Sequence, residues 1–197
     1  MTAKQYLQKI GCWIRQQITT WGGFLRHPDK AFRAAAEADD AEQAASRSVV
    51  VGVVCCGVAE LVGFAIVHDT MWFFPLLAAL LRMAALWSAW WLSVRGIVPI
   101  VQRYLRVNLT QRDGHLLVSY GMITVFATNC LLSFVPITFL YVLAFGNMFM
   151  LQSGVAAYVD ADETKIGRLT IGLAAWLCVL PCVLEYVLKM LLPNAPL

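Results

Sequence analysis

The sequence predicts an all-α fold: a polytopic helical membrane bundle of five transmembrane helices, preceded by an N-terminal amphipathic helix on the interface. Three observations predict it. Of the 197 residues 60% are hydrophobic and only 14% charged, with a mean hydropathy of +0.68, whereas a soluble domain carries roughly a quarter charged residues. Five apolar runs are each long enough to cross a bilayer core, which takes about 20 helical residues. Finally, Lys and Arg gather in alternate connections between those runs, the asymmetry that orients membrane helices.

Residues 1–47 form a basic, cytoplasmic N-terminal segment. Its first 35 residues hold Lys4, Lys9, Arg15, Arg26, Lys30 and Arg33 against Asp29 alone. That charge suits an anionic lipid surface, and it does not suit nucleic acid because no basic patch alternates with exposed aromatics elsewhere. Leu7, Ile10, Ile14, Ile18, Trp21 and Leu25 recur at three- and four-residue spacings, as on the apolar face of an amphipathic helix. The helix either lies on the membrane interface or packs on the protein's own cytoplasmic loops. Pro28 interrupts it, Asp29 to Asp40 predicts a short alanine-rich helix, and Glu37, Asp39, Asp40 and Glu42 read as solvated. No cleavable signal peptide is expected, since the first long apolar run begins near Ser48 and is long enough to span.

The transmembrane domain, residues 48–192, divides into spans near 48–67, 72–94, 116–135, 137–157 and 169–192, with a tight turn at Pro136 and a short extracytoplasmic tail over 193–197. Of the fifteen Lys and Arg residues, seven precede the first span, four fall between the second and third, and two between the fourth and fifth. Five crossings put all of these on one side, the cytoplasm by the positive-inside rule. Trp72, Trp87, Trp90 and Trp91 at the ends of the second span suit aromatic interface belts.

The chemistry-bearing residues lie inside the spans. Counting about 1.5 Å per residue from the outer ends, Glu60 and Arg82 come to roughly 12 and 15 Å deep, with Asn129, Asn147 and Glu185 at similar depth. An ion in lipid costs at least about 2.5 to 3.5 kcal/mol, so Glu60, Arg82 and Glu185 are expected to face inward and meet. One cation between two carboxylates leaves a surplus acid, which either is protonated or marks a polar path for a proton or solute. The alternative is a structural ion pair that ties helices together. Ala59 and Gly63 offer a face for close packing.

No catalytic or metal site is expected. Five cysteines fall within spans and Cys12 on the cytoplasmic side, away from positions where disulfides form. Cys178 and Cys182 share a helix face but lack further ligands. The cluster of Asp160, Asp162 and Glu163 sits beside Lys165 and Arg168 and reads as a solvated loop. Enzyme motifs are absent: there is no G-x-S-x-G, H-E-x-x-H, P-loop or dinucleotide glycine pattern.

"FLRHPDKAFRAAAE" (Phe24–Glu37), then "RDGHLLVSYGMITVFATNCLLSFVP" (Arg112–Pro136) and "LYVLAFGNMFMLQSGVAAYVDADETKIGRLTIG" (Leu140–Gly172), resemble the bacterial branch of the Yip family, the Ypt/Rab-interacting proteins. The likeness lies in a proline-containing stretch before the first span, a proline-terminated third span, and a fourth span ending in an acidic-basic linker. It runs over Phe24 to Leu192 and carries no catalytic residue across, and the D-L-Y-G-P stretch of eukaryotic members is missing. The resemblance implies five spans, a cytoplasmic N-terminus, residence in the bacterial inner membrane, and a non-enzymatic role in membrane organisation or protein interaction, with a membrane-protein partner or a second copy. A small transporter using the polar layer and a membrane-bound enzyme acting on lipid are the competing expectations.

Overall fold

A computed structural model describes residues 3–67, 73–134 and 146–191, and every regular element among them is helical. In chain order these are α1 (Ala3–Arg26), α2 (Pro28–Glu37), α3 (Ala41–Val67), α4 (Phe73–Tyr104), α5 (Gln111–Phe134), α6 (Asn147–Tyr158) and α7 (Glu163–Leu191). Four of them, α3, α4, α5 and α7, are long and apolar enough to cross a membrane. The expected fourth span, 137–157, falls partly on residues 135–145, outside the described residues. The part that is described, α6, has 12 residues, about 18 Å of helix against a hydrocarbon core of about 30 Å. Trp72, assigned to an outer aromatic belt, also lies outside the described residues.

Helix ends are set by local chemistry. Thr110 caps α5: its Oγ1 accepts the Asp113 N–H at 3.1 Å and donates to Asp113 Oδ2 at 2.5 Å, a reciprocal arrangement that satisfies an otherwise unpaired helix-start donor. Pro28 opens α2 at a position whose N–H has no intrahelical partner anyway. At the other end of α2 the Arg112 guanidinium donates to the carbonyls of Ala36 (3.2 Å) and Ala38 (2.6 Å).

Helix α5 lies at the centre, with residues 114 and 116–123 buried without a break. It runs alongside α3 in the same direction, since Ser46 meets His115, Cys56 meets Phe126 and Glu60 meets Ser133. Helix α4 opposes both. Helix α7 opposes α4, with Trp176 on Ser93 and Glu185 on Arg82, so α3, α5 and α7 are parallel. Helix α6 returns against α5: a Cβ at Gly121 would touch Leu151, and one at Gly154 would touch Leu117.

Small residues and tryptophans hold these helices together. A Cβ at Gly63 would overlap the backbone carbonyl of Ser133, so glycine is required where α3 and α5 approach backbone to backbone. Three indole N–H groups donate to serines on other helices: Trp21 to Ser48, Trp90 to Ser119 at 2.9 Å, and Trp176 to Ser93 at 3.0 Å. Trp90 is therefore an interhelical tie, while Trp87 and Trp91 are exposed as an interface belt requires. The outward faces of the long helices are apolar, as in the row Val50, Val54, Val58, Val62 and Ile66 on α3. Water would penalise such a row and lipid does not.

At the end of the bundle where α3 begins, α1 and α2 close over an aromatic core. Phe24 stacks on Tyr120 with centroids 3.9 Å apart, and Phe32, fully buried, meets Phe24, Tyr120 and Tyr158 edge-on. The Tyr158 hydroxyl donates to the Phe32 carbonyl at 2.8 Å. Burial, reinforced by the nearby Asp113, raises its pKa well above the usual tyrosine range, so it remains a donor. Along α1, Gln17 and Phe24 are buried and Trp21 half-buried, whereas Ile18 and Leu25 are exposed at 62% and 53%. The periodic apolar set read from the sequence is thus divided: Trp21 turns inward beside Gln17 and Phe24, and Ile18 and Leu25 face out.

Candidate functional site

The candidate site is a charge network in the half of the bundle away from α1 and α2. Glu60 lies two turns before the end of α3, Arg82 in the third turn of α4, and Glu185 near the end of α7. Because α3 and α7 are parallel and α4 opposes them, these positions come level. Arg82 Nη1 is 2.9 Å from Glu60 Oε2, and Arg82 Nη2 is 3.2 Å from Glu185 Oε1. One guanidinium bridges two helices through its forked donors, a geometry an ammonium does not offer.

Two further described residues join it. Lys189, one turn beyond Glu185, places Nζ 3.1 Å from Glu185 Oε1. Ser133, at the end of α5, has its hydroxyl 2.8 Å from Glu60 Oε2 and 3.1 Å from the Asn129 carbonyl. Its single proton favours the shorter, charge-assisted contact. Four helices are tied through five side chains, and the charges balance: two carboxylates, one guanidinium and one ammonium. Among the described residues the second acid is matched by Lys189, whose stem reaches back one turn to Glu185. Its i,i+4 spacing from Glu185 is visible in the sequence. Ser133 has no comparable signal, since its role depends on α3 approaching α5 at Gly63.

The two asparagines of the expected polar layer do other work. Asn129 Nδ2 donates at 2.9 Å to the Val125 carbonyl of its own helix, and Asn129 reaches the network only through its carbonyl. Asn147 is fully buried at the start of α6, with Nδ2 3.6 Å from Cys178 Sγ on α7, apart from the charged residues. Of the basic N-terminal set, Arg15, Arg26, Lys30 and Arg33 are exposed, and the side chains of Lys4 and Lys9 lie outside the described residues.

Metal chemistry finds little to work with: among the described residues no three His, Cys, Asp or Glu side chains converge on one point. Asp160 and Asp162 are exposed at the turn before α7, and Glu163 is exposed at its first position. Cys56 and Cys130 approach to 3.6 Å between α3 and α5, and Cys182 donates to the carbonyl of Cys178. The network itself can neutralise charge in an apolar setting and fix helix register, and the Ser133 hydroxyl is held against the Glu60 carboxylate. Compared with protein-family models, curated proteins and solved structures, the chain matches none.

Proposed function

We propose that this chain is a non-enzymatic integral membrane protein of the Yip type, crossing the bacterial inner membrane five times and serving as a membrane-organising or protein-interaction component. The observation that carries this reading is the balanced charge network: each ionised group in it is engaged by another on a neighbouring helix or turn. That arrangement suits a structural clamp. Five crossings are supported by the parallel course of α3, α5 and α7, which needs the chain to return between α5 and α7, the direction in which α6 runs against α5. A cytoplasmic N-terminus is supported by the basic connections. Exposed Arg15, Arg26, Lys30 and Arg33 beside Ile18 and Leu25 suit an amphipathic helix on anionic lipid, and leave a surface for a partner.

Single cysteines introduced into a cysteine-free background test the topology. A cysteine at Asn194 should react with an impermeant reagent applied outside the cell, and cysteines over 158–168 should be protected. The reverse pattern, or a protected Asn194, breaks the five-crossing reading. Photo-crosslinkers at Arg26 and Arg33 should trap the same membrane protein, or a second copy, across independent preparations, and scattered adducts would count against an interaction role. A small permease is the second reading, because the side chains of the network keep 11% to 22% exposure. Proton or solute flux in liposomes, lost in Glu60→Gln with folding intact, would favour it.

A further inference from the structure

From the groove between the end of α4 and the start of α7 we infer a specific site for one anionic phospholipid, with an acyl chain along the groove and the phosphate at Arg168. The groove has a volume of about 170 Å³ and is walled by Ile97, Val101, Leu105, Leu169, Leu173 and Trp176. It follows α7 from Arg168 to Trp176, about 12 Å of helix, and so accepts an extended chain rather than a compact solute.

Two features separate it from the general lipid-facing surface. Gly172 lines the groove, and a Cβ built there meets nothing within 4 Å, so the floor is open in the middle. At the mouth stand Arg168 and the exposed Tyr104. Arg168 forms no ion pair among the described residues. The nearest acids in sequence are Asp160 and Asp162 on the turn and Glu163 at the start of α7, and none is three or four residues before Arg168, so no helical pair satisfies it. An apolar trough with the Arg168 guanidinium at its mouth is complementary to a lipid with a negative headgroup. The inference rests on α4 and α7 lying in the bilayer.

Native mass spectrometry of the full chain, extracted from membranes and offered phosphatidylglycerol or phosphatidylcholine with identical acyl chains, tests it. One equivalent of phosphatidylglycerol should be retained with about a fivefold preference, the contribution of a single arginine near an anionic surface. Arg168→Gln should remove the preference and leave phosphatidylcholine retention unchanged. Gly172→Leu should fill the groove and lower retention of both lipids, and Ile100→Trp, on the groove's other wall, does the same should Gly172→Leu fail to fold. Equal retention of the two lipids, or a preference indifferent to all three changes, means annular lipid only and overturns the site. All arms use protein already taken from the membrane fraction, so loss of the site leaves the crossing itself unaffected, whereas protein missing from that fraction would count against the crossing instead.

Discussion

The two ends of the bundle are fastened by different forces. Where α1 and α2 close over the helices, Phe24, Phe32, Tyr120 and Tyr158 interlock ring on ring, and these rings gain from leaving water. At the opposite end the fastening is ionic, through Glu60, Arg82, Glu185, Lys189 and Ser133. Inside a bilayer apolar contact between helices offers little advantage over contact with lipid tails, so polar ties and close packing must hold them. The contrast teaches that ring packing and charge pairing can each join helices whose outer faces are apolar.

Arg82→Leu should do the most damage. It strands Glu60 without a cation while Glu185 keeps Lys189, and removing one partner of a buried pair costs about 3 to 5 kcal/mol, less whatever protonation relieves. The double change Glu60→Gln with Arg82→Leu should be milder, because Glu185 keeps Lys189 and Ser133 can still bond to an amide. Membrane accumulation and thermal stability in detergent report the difference. Equal losses in single and double mutants would mean that the ionic end is not held as described.

Next comes Phe32→Ala, with an expected loss of about 3 kcal/mol for a fully buried ring. This loss should appear as detachment of α1 and α2, read as faster amide exchange over Pro28–Glu37 while α3 to α5 remain protected. Loss of protection throughout the bundle would show that the two ends are not separable. The smallest effect is expected for Lys189→Met, below about 1 kcal/mol, because its pairing with Glu185 is an i,i+4 contact at a helix end and partly exposed. A loss as large as that of Arg82→Leu would place the essential cation on α7 instead of α4.

The sequence by itself determined that the chain is helical, that its long apolar runs need a hydrocarbon solvent or one another, and that Glu60, Arg82 and Glu185 must turn inward. These follow from local hydropathy and from the cost of exposing an ion to lipid, both of which are properties of single residues and short windows. Tertiary structure decided the partners. Lys189 balances the network and Ser133 joins it because α5 touches α3 where Gly63 has no side chain. Asn129 instead bonds within its own helix, Asn147 lies against Cys178, and Trp21 and Phe24 turn α1 inward against its simple periodicity. Pairing depends on the rotation and register of helices far apart in the chain, and hydropathy along one strand of sequence carries no information about either.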